Sequence, residues 1–314
     1  MKISDLVTEY IIVKKAMGMR FRAESVILNA FCRAINDIDI VQVNPESVQD
    51  YLCGTGPITT FWHRKFEALN GFYRFALNRG YVSCSPLPTI IPKRPAPFQP
   101  YIYTRDEFRR LVEATDILGS NKRLVIQPAT FRTLLLMLYG TGLRIGEALS
   151  LTMADVELPK CLLTIRNTKF FKTRWVPIGP QLTDELISYA EKRRQIPRPA
   201  QNRSAFFPTK WGGKLALSTI ERTFRLLCEN ADIRRIDGGR FQPRLHDIRH
   251  TFALNRLISW YREGADVQRL LPFLSTYLGH VDVAATRRYL AMTPELLHEA
   301  SLRFEQYAIE GGQP

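Results

Sequence analysis

Pro243-Arg244-Leu245-His246-Asp247-Ile248-Arg249-His250-Thr251-Phe252 has the pattern of a helix opening after a proline, and the rest of the chain is read outward from it. On a helix, residues three apart share a face, so His246 and Arg249 would set a titratable imidazole beside a permanent cation. That pair suits a phosphate oxygen. His250 falls on another side of the same helix and is assigned to packing. Upstream, Thr141-Gly142-Leu143-Arg144-Ile145-Gly146-Glu147 carries a further arginine; downstream, Leu278-Gly279-His280 is followed nine residues later by Tyr289.

Breaking a phosphodiester without a metal takes a nucleophile, cations on the two non-bridging oxygens and a proton donor for the leaving 5′-oxygen. Arg144 and Arg249 offer planar forks of donors that stay charged throughout. Lys169, at the tip of an expected hairpin, is a candidate proton donor, with Lys172 as its rival. His246 could relay a proton to or from a tyrosine, and His280 could hydrogen-bond the phosphate. Tyr289 could attack it, leaving a covalent phosphotyrosine that stores the bond energy so that rejoining needs no ATP. Taken singly, each has an ordinary reading: a structural ion pair, a solvated turn lysine, a satisfied structural histidine, a core aromatic. A metal is the competing use of clustered histidines, but no Cys or carboxylate completes a recognised ligand spacing, so neither metal nor cofactor is expected.

The composition agrees with a polyanionic partner. Against 30 Asp+Glu stand 44 Lys+Arg, a formal net charge of +14, and a sequence pI near 9.7 favours nucleic acid. With 314 residues and a 45% hydrophobic fraction the chain can fill two domain cores. Cys32, Cys53, Cys84, Cys161 and Cys228 are odd in number and widely spaced, which reads as reduced, mostly buried thiols of a cytoplasmic, nucleoid-associated protein. No apolar run has the length of a membrane span or the form of an export signal.

In chain order, apolar residues at helical spacing (Leu6, Tyr10, Val13, Met17, then Val26, Ala30, Ile35) predict two helices. Asn44-Pro45-Glu46 caps a third, and a fourth runs from about Thr59 to Asn78, burying Phe61, Phe66, Leu69, Phe72, Tyr73 and Phe75. Arg64, Lys65 and Arg74 on that helix are candidates to track a DNA backbone. Residues 85–100 hold six prolines and form a semi-rigid linker, in which Lys93 and Arg94 could lie along phosphates. After it, Thr104-Arg105-Asp106-Glu107 fits a capping box. A nearly all-apolar helix then runs up to Gly140-Thr141-Gly142. Leu162–Ile165 and Trp175–Ile178 read as strands of a hairpin with a basic tip, to which Lys172 also belongs. Helices resume at about 183–194, 218–230, 266–278, 283–290 and 294–307. The fold class is mainly α with a small β-sheet, in two domains: 1–84 helical, 85–100 linker, 101–314 mixed.

The order Arg144, Lys169, His246-x-x-Arg249, His280, Tyr289 resembles the tyrosine recombinase (phage integrase) family over essentially the whole second domain. Thr141 to Glu147 looks like its first box, and Lys169, counted back from Arg174-Trp175-Val176-Pro177-Ile178, matches its hairpin lysine. The resemblance implies a site-specific DNA recombinase or integrase, working through a 3′-phosphotyrosyl intermediate without metal or ATP. It implies a homotetramer on two DNA duplexes, with accessory DNA-bending or directionality factors among its partners. Residues 1–84 would be the helical core-binding domain that clamps double-stranded DNA, and the segment after Thr293 a helix exchanged between protomers. Ala291 departs from the histidine that many members carry two residues after the tyrosine. The longer stretch from Trp260 to Tyr277 resembles integrases of mobile elements, and no arm-binding domain is expected before the core-binding module. A type IB topoisomerase would share the constellation, a non-catalytic DNA-binding protein would share the fold, and a helical scaffold would share neither chemistry nor DNA affinity.

Overall fold

The computed structural model describes residues 1–95, 99–121, 123–166, 173–194, 201–239, 241–280, 286, 289 and 294–309. Two units divide the chain, Met1–Phe98 and Gln99–Pro314.

Among its described residues the first has four α-helices, α1 (Ile3–Ala16), α2 (Arg22–Ala34), α3 (Pro45–Cys53) and α4 (Thr60–Asn78). The Asn44 side chain accepts from Ser47 N at 2.8 Å, so the residue before the proline caps α3 as its sequence predicts. α4 packs on the other three around Leu6, Tyr10, Leu28, Phe31, Leu69 and Phe72. Two registers differ from expectation. Phe61 is 49% exposed, because Trp62 takes the inward position one residue on. Val26 and Met17 also face out, and α2 buries Ile27, Leu28, Phe31 and Cys32 instead. A stripe drawn one residue off rotates the face by about 100°, enough to move it from core to solvent.

The second unit opens at the capping box: Thr104 Oγ1 accepts from Glu107 N at 3.1 Å, and Glu107 Oε2 accepts from Thr104 N at 2.8 Å. There follow α5 (Arg105–Glu113), α6 (Pro128–Thr141), α7 (Ile145–Ser150), α8 (Pro180–Arg193), α9 (Leu217–Asn230), α10 (Leu245–Arg262), α11 (Val267–Leu278) and α12 (Pro294–Ile309). Three short antiparallel strands, β1 (Val156–Glu157), β2 (Leu162–Ile165) and β3 (Arg174–Pro177), lie in that order in one sheet. β1 is too short for its period to show in the sequence. α6, with Phe131, Leu134, Leu135 and Met137 fully buried, is the central helix and contacts α5, α7, α8 and α10. Its apolar circumference is therefore explained by burial on several sides. α12 packs on α10, burying Leu296 and pairing Glu299 with Arg262 at 2.8 Å. No described helix is long and apolar enough to cross a membrane.

Candidate active site

Two helices end at the site, each on a glycine in the left-handed region. α6 stops at Gly142 (φ 62°) and α11 at Gly279 (φ 68°). A helix C-terminus leaves carbonyls without intrahelical partners and carries the negative end of the helix dipole, so it attracts cations. Arg249, on the first turns of α10 and 2% exposed, answers both ends: Nη1 donates to Gly142 O at 2.8 Å and Nη2 to Leu278 O at 2.7 Å. Burial, and then the Arg144 charge, lower its pKa to about 10, so it remains a cation at neutral pH.

Arg144 precedes α7. Its Nη2 donates to Gly279 O at 3.1 Å and its Nη1 to Glu147 Oε1 at 2.9 Å, while its backbone N–H donates to Glu147 Oε2 at 3.0 Å. The side chain remains 38% exposed. Arg174, first residue of β3, takes the same carboxylate with both terminal nitrogens, Nη1 to Oε1 at 3.0 Å and Nη2 to Oε2 at 2.8 Å, and donates through Nε to Tyr277 O at 3.0 Å. Three guanidiniums therefore hold three consecutive carbonyls, 277 to 279, at the end of α11. Glu147 is largely buried; although desolvation opposes its charge, bonds from Arg174 and then Arg144 outweigh it and bring its pKa down to about 2.

The aromatic side of the site is a row of rings. His246 and His250 meet edge to face with centroids 4.9 Å apart, His250 lies 5.5 Å from Tyr289, and Tyr289 lies 6.3 Å from His280 at an interplanar angle of 21°. His280 Nδ1 is 2.8 Å from Thr286 Oγ1. His246 reaches the surface, yet the surrounding protein desolvates its ring and the Arg249 and Arg244 charges add to that, so its pKa lies below the ordinary imidazole value. Tyr289 is 3% exposed and packs in a cluster with Phe252, Leu257, Leu278 and Leu296. Asp247, fully buried, fixes the start of α10 by accepting from Arg244 N at 2.9 Å and from Arg244 Nη2 at 2.9 Å.

The structure thus brings together Arg144, His246, Arg249, His280 and Tyr289. Lys169 and Lys172 lie outside the described residues. In the first unit Arg64, Arg74 and Lys93 are exposed. Lys65 is turned inward: its amine donates to Tyr51 O at 2.5 Å and sits 4.4 Å from the Tyr51 ring centroid, and burial lowers its pKa. Arg94 pairs with Glu67 at 2.5 Å. Three side chains at the site have no part in the chemistry that spacing alone suggests: Glu147 and Arg174 serve there as landmarks, and His250, a packing residue by its place on the helix, stands between His246 and Tyr289. Glu147 and Arg174 are joined across separate elements, so neither carries a local signal; the glutamate one turn after Arg144 was the nearest hint.

Sequence comparison matches residues 102–295 to the phage integrase family. A protein of Sinorhizobium fredii (strain NBRC 101917 / NGR234) named integrase/recombinase y4rB is 33% identical over 302 residues, spanning 96% of each chain. Among solved structures, the integrase of transposon Tn1549 in complex with transposon right end DNA superposes with a TM-score of 0.70 at 15% identity, covering 98% of this chain and 100% of that one. A lambda integrase tetramer bound to a Holliday junction gives a TM-score of 0.65 at 14% identity over 92% of this chain and 77% of that one.

Proposed function

This chain belongs to the phage integrase family and is a tyrosine-type site-specific recombinase that breaks and rejoins DNA; on that premise we propose that Tyr289 is its nucleophile and that Arg144 and Arg249 hold the scissile phosphate. The Tyr289 oxygen forms a bond to phosphorus, the bond from phosphorus to the 5′-oxygen breaks, and a 3′-phosphotyrosyl link remains. His246, kept neutral by its desolvated ring and the arginines beside it, relays the tyrosyl proton along the ring row by way of His250, and His280 donates a hydrogen bond to the phosphate. Lys169 supplies the proton that the 5′-oxygen needs to leave. Water then plays no part, and a 5′-hydroxyl from another strand reverses the step with the same groups.

The observation that carries this reading is the pair of helix ends. Arg249 is locked by two of their carbonyls and Arg144 by a third, so both guanidiniums are set before substrate arrives. Preorganised charge of that kind accounts for roughly 10² to 10³ in rate per donor. Tyr289 lies two rings away from His246 along the same row.

The partner is double-stranded DNA, and the working assembly is a homotetramer on two sites, a reading supported by the fold shared with the lambda integrase tetramer. Residues 1–84 serve as the DNA-clamping unit, with Arg64 and Arg74, and Lys93 of the linker, toward the phosphates, and α12 moves onto a neighbouring protomer. Integrases of mobile elements are the subgroup proposed.

DNA flanking the reading frame, prepared as a nicked suicide duplex and incubated in EDTA, tests the chemistry on a denaturing gel. A covalent adduct formed by wild type and absent in Tyr289→Phe is the expected result. An adduct that persists in Tyr289→Phe would place the nucleophile elsewhere.

A further inference from the structure

The Glu147 carboxylate has two cationic neighbours, and they use it differently. Arg174 spans both oxygens in a fork, whereas the Arg144 side chain touches only Oε1. Arg174 is 12% exposed on its side chain, against 38% for Arg144. A carboxylate and one guanidinium form a neutral, two-bonded pair when nothing competes. If Arg174 were uncharged, Arg144 would be free to turn its fork onto Glu147, releasing Gly279 O and cancelling its own charge. With Arg174 in place the three groups carry a net single positive charge, and the outer guanidinium is the one left to express it.

We propose that Arg174 is a positioning residue for strand cleavage: by occupying both oxygens of Glu147 and Tyr277 O, it keeps Arg144 from being neutralised and directs its charge at the scissile phosphate. The packing around it supports a fitted role. A Cβ built on Gly279 would lie 2.7 Å from Arg174 Nη1 and 2.8 Å from its Cζ, so glycine at the end of α11 makes room for this guanidinium as well as for the turn. The inference rests on the reading of Arg144 as a phosphate ligand.

The distinguishing test is a four-way comparison of wild type, Arg174→Gln, Glu147→Gln and the Arg174→Gln/Glu147→Gln double variant, with Arg174→Lys as the conservative change. Single-turnover adduct formation and equilibrium binding are measured on one nicked duplex. Arg174→Gln is expected to slow the adduct about 30-fold with DNA affinity within about threefold of wild type. Arg174→Lys, a point charge that cannot span both oxygens, falls between. The double variant, lacking the carboxylate that would capture Arg144, is expected to react faster than Arg174→Gln. A merely structural Arg174 predicts the opposite: the double variant no faster than the single one, or binding and rate falling in parallel. Either result overturns the proposal.

Should wild type form no adduct, the catalytic reading fails, and tungstate, a phosphate-like oxyanion, decides the matter by calorimetry. Affinity about tenfold weaker in Arg174→Gln and recovered in the double variant supports the proposal; equal affinity in all four proteins overturns it.

Discussion

At the scale of single residues, the two arginines proposed to hold the phosphate should not be interchangeable with lysine. Arg249 divides its terminal nitrogens between Gly142 O and Leu278 O, a fork that one ammonium cannot reproduce. Arg249→Lys is expected to lose about 10² to 10³ in the rate of adduct formation, read on the same gel. His246 gives a pH dependence with a definite sign. Its folded pKa is lowered, so the neutral base is present above a point below the usual imidazole value. The rate should rise with pH through that region and be flat by about pH 7, and His246→Gln should abolish the acid limb. Glu147 gives a stability signature. Its pKa drops from 4.5 to about 2 on folding, so its contribution is fully present above the unfolded value and is lost as pH falls through the folded one. The full contribution is on the order of 3 kcal/mol, and urea titrations of wild type and Glu147→Gln should draw together by about 2 kcal/mol between neutral pH and pH 3, the remainder closing only below about pH 2. The ionisable candidates were legible because each has a chemical duty that few residue types can fill. The Glu147–Arg174 pair was not, since an ion pair bridging α7 and β3 leaves no spacing to read.

At the scale of elements, the site is built where helices stop, and the glycines at those stops are testable. Gly142 has a positive φ, and a Cβ there would fall 2.4 Å from Phe252 Cδ1, inside the packed start of α10. Gly142→Ala combines left-handed strain of about 1 to 2 kcal/mol with overpacking of about 1 to 3 kcal/mol. A fall in melting temperature of roughly 5 to 15 °C is expected, measured by circular dichroism; an unchanged melting temperature would contradict the packing described. Caps and breakers made most of these elements readable: Asn44 before Pro45, Thr104 with Glu107, and Gly142 after an apolar run all acted locally. The face of α2 and the position of Phe61 depended on which neighbour filled the core, a tertiary choice that periodicity averages over. The stop expected over Gly140-Thr141-Gly142 falls where the left-handed turn is needed: α6 runs to Thr141 and Gly142 caps it.

At the scale of the whole molecule, charge and domain structure meet in the dependence of DNA binding on salt. Each phosphate neutralised releases condensed counterions, so log K falls against log salt with a slope near −0.9 per contact, or roughly 10³ to 10⁵ in affinity between 50 and 200 mM for six to ten contacts. A chain with a formal charge of +14 is suited to that regime. How the contacts divide between the units can be measured, because each unit closes its own core: Leu6, Phe31 and Phe72 belong to one cluster, Phe131, Leu135 and Ile248 to another. A fragment of residues 99–314 should therefore fold and unfold cooperatively by itself. If Arg64, Arg74 and Lys93 each meet a phosphate, that fragment should bind DNA with a salt slope shallower by about 3 than the full chain. Lys65, folded onto Tyr51, should make no difference when changed to methionine. An unchanged slope in the fragment would remove the first unit from the DNA-clamping role, leaving recognition to the unit that carries the arginines and the tyrosine.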